Sequence, residues 1–195
     1  MATLEEVALQ LESLSADSLE ELARFVRYLR WKERPSQGEG SGLPWDYDFV
    51  EHFRQASVTS DQDPAGMEVQ VGEASCGSDW RMALWQHPPV EGASSVEYQV
   101  AIPPDVSRLR LRLATGIRDG SDLAAGNVVA FRVFVNDWRI WSDTQHARIW
   151  KAHEIIMPAI PGDVVRMRFV TDGLGNHQWG WAAWGEPRLV GEIID

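Results

Sequence analysis

DVVRMRFVTDGLGNHQWGWAAWGEPRLV, residues 163–190, decides the fold. In its first half Val165, Met167, Phe169 and Thr171 alternate with Val164, Arg166, Arg168 and Val170. A period of two puts one apolar and one polar face on a half-buried strand. The run stops at Thr171-Asp172-Gly173-Leu174-Gly175-Asn176, where Gly, Asn and Asp supply the backbone freedom of a loop. A second extended segment, Trp179–Val190, leads toward the C-terminus. Two strands closing as a pair around a polar, Gly-rich loop flanked by Trp are expected at the binding end of a β-sandwich.

Working outward, the chain from Pro44 onward breaks into short extended runs. Strands are expected at Met67–Val71, Arg81–Gln86, Val96–Ile102, Arg108–Ile117, Val128–Val135, Trp138–Trp141, Ile149–Met157, Asp163–Thr171 and Trp181–Val190. Pro88-Pro89, Pro103-Pro104-Asp105, Asp119-Gly120-Ser121, Asn136-Asp137 and Pro161-Gly162-Asp163 separate them and carry turn chemistry. Many short strands with no helical period between them predict a mainly β fold, an antiparallel sandwich. Residues 44–66 fit one turn of helix or a first strand, through Trp45, Tyr47, Phe49, Val50 and Phe53.

The N-terminus reads differently. Leu4, Val7, Leu11 and Leu14, then Leu19, Leu22, Val26 and Leu29, repeat at helical spacing, so residues 1–35 are expected to form an α-helical hairpin. Ser15 or Asp17 is the expected cap of its second helix. Ser36–Gly42 has linker composition, which gives a hairpin (1–35), a flexible linker (36–43) and a β-sandwich domain (44–195). Two helices bury too little surface to stand alone, so the hairpin is expected to dock on its own chain, form a homodimer or hold a protein partner.

Composition narrows the function. A net charge of -11 disfavours nucleic acid, whose phosphates need a basic patch. No stretch reaches the roughly 20 apolar residues of a membrane span. The acidic start MATLEEVALQLESL lacks the basic, apolar pattern of a signal peptide. The chain as written is therefore expected in the cytoplasm, and outside the cell only if it is a fragment. A single cysteine, Cys76, excludes an internal disulfide, and it reads as a small residue in a Gly/Ser loop.

From Trp80 onward the pieces WRMALWQHPP, VEYQVAIPP, LRLRLATGIRDGS, VVAFRVFVNDWRIWSD and the closing VRMRFVTDGLGNHQWGWAAWGEPRLV follow one another. In that order they resemble the galactose-binding-like β-sandwiches, in particular carbohydrate-binding modules of the NPCBM type, over about residues 80–191. The resemblance implies a non-catalytic jelly roll that binds carbohydrate, in which the second and third pieces are a strand pair and the fourth a hairpin. A structural calcium is common in such sandwiches, but no position here matches one, so no cofactor is expected. The segment LSADSLEELARFVRYLRWKER resembles short bacterial antitoxin-like helical proteins over one helix.

A sugar site needs an aromatic face for the C–H side of a pyranose and polar groups for its hydroxyls. Trp141, Trp150 and Trp179 are candidates for the face; Asp172, Asn176 and His177 are candidates for the hydroxyls. Core packing of the Trp residues and plain turn chemistry of the loop are the competing explanations. Asp119-Gly120-Ser121-Asp122 has carboxylates but no ordered cation-ligand spacing. The five His are scattered, without the spacing of a metal enzyme, and no G-x-S-x-G occurs. Glu186 is expected to pair with Arg188. Two readings follow: a non-catalytic binder of carbohydrate or a related polyol, or a cytosolic interaction scaffold whose hairpin docks a protein.

Overall fold

The computed structural model describes residues 44–61, 68–123, 126–158 and 161–193, with isolated positions 11, 14, 15, 18, 19 and 22. The chain divides into two compact units, Met1–Glu39 and Gly40–Asp195. Apart from those isolated positions the expected helical hairpin, with any pairing through it, lies outside the described residues. Leu11, Ser18, Leu19 and Leu22 are helical. Ser15 acts as the cap, its Oγ accepting the Ser18 N–H at 3.3 Å and its carbonyl the Leu19 N–H at 2.9 Å.

The second unit is built from β1 (Pro44–Asp48), β2 (Ser57–Ser60), β3 (Gln70–Cys76), β4 (Asp79–Trp85), β5 (Ala93–Ala101) and β6 (Val106–Ile117), then β7 (Val129–Val135), β8 (Trp138–Gln145), β9 (Lys151–Ile156), β10 (Val164–Asp172) and β11 (Ala182–Ile193). One antiparallel sheet has the order β3-β4-β11-β6-β9, with β1 also paired to β11; the other runs β2-β5-β10-β7-β8. The first segment after Pro44 is thus a strand, followed by a short 3₁₀ turn at Phe53–Gln55. β3 starts later than expected and carries Cys76 on its end, so the cysteine is a strand residue rather than a loop residue.

β10 keeps the alternation read from sequence: Val165, Met167, Phe169 and Thr171 are buried, while Val164, Arg166 and Arg168 are not. The pairing differs from expectation. β10 pairs with β5 and β7, whereas β11 pairs with β4, β6 and β1. The two strands of the opening stretch therefore lie in opposite sheets, and their loop crosses the end of the sandwich. β5 and β6 are likewise in opposite sheets. The Asn136-Asp137 hairpin forms as expected between β7 and β8. Both turn residues have positive φ (47 and 70), as a type I′ turn requires.

Between the sheets sits an aromatic core. Trp184 meets Phe131 and Phe169 edge-on, with centroids 4.9 and 5.1 Å apart, and Phe49 meets Phe169 and Tyr98 at 4.9 Å each. Edge-to-face contact sets the positive rim of one ring against the negative face of the next. The buried Tyr98 hydroxyl donates to the Phe49 carbonyl at 3.0 Å. β11 changes phase in mid-strand. Its register shifts between Gly185 and Arg188, with Glu186 at φ 45, so Trp184 and Leu189 both face inward. Such a bulge inserts residues into one strand only. Here it is also where β4 stops pairing with β11 and β1 takes over. Arg188 bonds Asp46 and Asp48 on β1, at 2.8 and 2.6 Å; no bond to Glu186 forms, because the bulge turns that residue aside.

A second, smaller core lies outside the first sheet. Ala74, Ala83 and Ala183 are buried there against Trp85 and Trp150. The β3–β4 hairpin curls over the sheet, and its tip is held by Asp119. That carboxylate accepts from Ser75 Oγ, from Gly77 N at 2.9 Å and from Ser78 N at 2.9 Å. These bonds, the Ser75 hydroxyl first, hold the Asp119 carboxyl below its ordinary pKa. The Asp119 turn thus clamps a hairpin.

Candidate functional site

The crossing loop 173–181 is built by its own polar side chains. Asp172 accepts the Leu174 N–H on Oδ1 at 2.8 Å and Arg132 Nη1 on Oδ2 at 2.9 Å. Asn176 donates through Nδ2 to Asn127 Oδ1 at 2.8 Å and accepts the Gln178 N–H at 3.3 Å. Asn127 in turn donates to the Gln178 carbonyl. Ser121, itself buried, donates to the Trp179 carbonyl at 2.7 Å. The His177 carbonyl accepts the Gly180 N–H at 3.0 Å. Asp172, Asn176, His177 and Trp179 therefore share one loop, pinned by the 118–128 loop, and the first two have side-chain atoms committed to holding it.

What this scaffold presents is Trp179. Its backbone sits at φ 58, a region that bulky side chains rarely adopt, and the residue is 42% exposed. Trp181 stands beside it, with ring centroids 5.4 Å apart. Farther along the same end, His87 is parallel to Trp181 within 3°, at 6.2 Å between centroids. The Arg118 guanidinium carbon lies 3.4 Å from the centre of the Trp85 ring and 5.6 Å from that of Trp181, within the range of cation–π attraction. Arg118 Nη1 donates to Glu68 Oε2 at 3.3 Å and to His87 Nε2 at 3.5 Å. Burial, with Arg118 adding to it and Glu68 opposing, pushes the His87 pKa down to about 4. The ring is neutral at pH 7 and accepts from Arg118.

The other two Trp candidates are engaged elsewhere. Trp141 packs on the main core, 4.5 Å from the His153 ring and 6.3 Å from Trp184. Trp150 covers Gly116 and Gly185 and donates Nε1 to the Asp79 carbonyl at 2.9 Å. Sequence reasoning did not pick out Glu68, Trp85, His87 or Arg118. Their one visible signal is position: His87 precedes Pro88-Pro89, and Arg118 follows the last inward residue of β6, so both fall at strand ends on the same side. Among the described residues no three His, Cys, Asp or Glu side chains gather as a metal site. None of the described helical segments is long and apolar enough to cross a membrane.

The fold and this loop end define a two-layer antiparallel β-sandwich with an aromatic, cation-bearing rim. No protein-family model matches the chain, and no curated protein matches it. Solved structures similar to it include carbohydrate-binding modules of families 51, 36 and 35. One is the second family 51 module, with its neighbouring domains, of ZmpB from Clostridium perfringens, in complex with GlcNAc: TM-score 0.49, 14% identity, covering 77% of this chain and 32% of that one. The chain thus spans about a third of that structure's length. Another is the family 51 module of a Clostridium perfringens GH95 protein in complex with methyl-galactose, at TM-score 0.47 and 12% identity, covering 74% and 99%. A third is the Stig cyclase Fisc from Fischerella sp. TAU, at TM-score 0.45 and 14% identity, covering 84% and 94%. These likenesses concern the fold alone.

Proposed function

We propose that this sandwich is a non-catalytic binding module for carbohydrate or a related polyol, with Trp179 as its stacking platform. One observation carries the reading. A bulky indole is held at positive φ and left 42% exposed, although sterics and the hydrophobic effect both oppose that arrangement. Strain of this kind persists where the surroundings over-determine it, here through the Ser121, Asn127 and Asn176 bonds. The platform supplies an apolar face, and Arg118 and Glu68 beside Trp181 supply a donor and an acceptor for hydroxyls. In this reading Asp172 and Asn176 shape the loop, and Trp141 and Trp150 stabilise the body.

The test is calorimetric titration with a panel of methyl glycosides, wild type against Trp179→Ala. Loss of the platform is expected to cost about 2 kcal/mol, roughly thirty-fold in affinity. A panel with no binding, or a variant that binds as well as wild type, overturns the reading. One observation favours a second role in protein interaction: Trp80, 67% exposed, and Met82 lie uncovered on the solvent side of the β3–β4 hairpin. Retained glycan binding with loss of a captured partner in Trp80→Ser would assign that face separately.

A further inference from the structure

The rim holds N–H donors that the described residues leave without acceptors. Arg118 uses only Nη1 for its side-chain hydrogen bonds, to Glu68 and His87. Among the described residues its Nε and Nη2 have no hydrogen-bond partner. Its side chain is only 16% exposed, yet it is held flat on Trp85, so its free edge has a fixed direction. Beneath it the Trp85 Nε1 is buried and has no acceptor. A fixed guanidinium edge that lacks acceptors rewards a ligand that brings oxygen atoms.

The charge is already compensated. Glu68 Oε2 lies 3.3 Å from Arg118 Nη1, and the whole chain carries a net charge of -11. A hydroxyl both donates and accepts, so it satisfies the free Arg118 edge and the Glu68 carboxylate together. A second carboxylate placed there would sit beside Glu68 in a partly desolvated setting and gain little from a cation that is already paired.

We infer that the Arg118–Glu68 pair makes this rim selective for uncharged, hydroxyl-rich ligands over their acidic counterparts, with Glu68 as the discriminating residue. This deepens the carbohydrate reading and rests on it. Arg118 anchors the ligand, Trp85 orients Arg118, and Glu68 excludes anions. Because Glu68 is 53% exposed, its substitution leaves the packed body alone.

The experiment compares methyl galactoside with the methyl glycoside of galacturonic acid, and methyl glucoside with the methyl glycoside of glucuronic acid, each acid with its carboxylate free, by calorimetry on the full chain at pH 7 and low salt. In wild type at least one neutral sugar is expected to bind about tenfold or more tightly than its uronate, a difference of about 1.4 kcal/mol. Glu68→Gln is expected to shrink or invert that ratio, since Arg118 then faces the ligand with an uncompensated charge. Arg118→Gln is expected to weaken both members of a pair, and a melting curve for each variant reports its folding. Added salt should narrow the wild-type ratio by screening. Equal binding of neutral and acidic members in wild type, or a ratio unmoved by Glu68→Gln, overturns the inference while leaving carbohydrate binding intact. No binding to any of the sugars removes the underlying reading, and the selectivity with it.

Discussion

The Trp184 indole donates its Nε1 proton to the Gln86 side-chain oxygen at 2.9 Å, and both residues are wholly buried. Gln86 returns its own amide protons to the Ser94 and Phe169 carbonyls, at 2.8 and 3.1 Å. Its backbone carbonyl accepts Thr171 Oγ1 at 2.8 Å. One side chain just past β4 thus ties the first sheet to β5 and β10 of the second. Gln86→Leu keeps much of the volume but strands an indole N–H and removes the donor from two buried carbonyls. Three groups lose a partner at about 1–3 kcal/mol each, so a loss of about 3 kcal/mol or more is expected, read by urea unfolding followed through Trp fluorescence. A loss below about 0.5 kcal/mol, the level of an ordinary surface substitution, would show the bridge to be dispensable.

The small outer core sets a different limit. A Cβ added at Gly116 would stand 2.6 Å from Cys76 Sγ, 2.9 Å from the Trp150 ring and 3.0 Å from the Ile149 carbonyl. At Gly185 the nearest atoms of the same ring are 3.0 and 3.2 Å away. Gly116→Ala must displace backbone as well as side chain, and an overpacked site costs about 1–3 kcal/mol. Gly185→Ala presses on the ring and the Arg81 chain, so its cost should be the smaller. Thermal melts of the two variants test the order, and a Gly116→Ala protein as stable as wild type would contradict the packing described.

Much of this body was legible in the chain. The two-residue rhythm of Val165–Thr171 set the inward face of β10, and Asn136-Asp137 announced its hairpin, because both signals are local. Sheet membership is not local. The loop 173–181 is far longer than the Asn136-Asp137 turn, so it crosses between layers where a tight turn would have paired β10 with β11. The bulge at Glu186-Pro187 was hidden too, since an apolar–polar rhythm that changes phase looks like two strands or none. Asp172, Asn176, His177 and Trp179 were placed together, in one loop, because they adjoin in sequence. Arg118, Glu68, His87 and Trp85 were not, because only the fold assembles them. Trp number alone could not separate Trp179 from Trp184, which share a composition signal and differ in burial.

His87 makes stability depend on pH. Its ring faces Arg118, Glu68 and Trp181, and its pKa falls from 6.5 to about 4, through burial first. In the unfolded chain the imidazole takes a proton near its ordinary value, while the folded one refuses it until about pH 4. The unfolded state therefore binds more protons between those limits, and stability falls as pH drops from about 6.5 to about 4. At about 1.4 kcal/mol per unit, this one group contributes at most on the order of 3 kcal/mol. His87→Gln should remove that part of the slope when unfolding free energies at pH 7.5 and 4.5 are compared. Equal slopes in variant and wild type would show that the ring titrates normally.

Cys76 reports on the hairpin clamp. Its thiol is buried at the end of β3, against Gly116. Burial foremost, and then the neighbouring Asp119 charge, push its pKa up to about 12. The thiolate is the reactive form, so an aromatic disulfide reagent at pH 8 should leave the native protein unmodified on the scale of minutes and label it fully in denaturant. Labelling of the native state then requires the hairpin tip to open, and the Asp119 bonds to Ser75, Gly77 and Ser78 resist that opening. Asp119→Ala removes the acceptor and leaves two backbone N–H groups of the turn to water. A loosening of about 2 kcal/mol, reasonable for charge-assisted bonds at a partly exposed site, raises the open population roughly thirty-fold. The labelling rate should rise by the same factor even though the substitution also lowers the thiol pKa slightly, since burial is the larger cause of its shift. A rate unchanged in Asp119→Ala, with the global melt also unchanged, would mean that the second-layer packing of Trp150 and the alanines holds the hairpin down without the clamp.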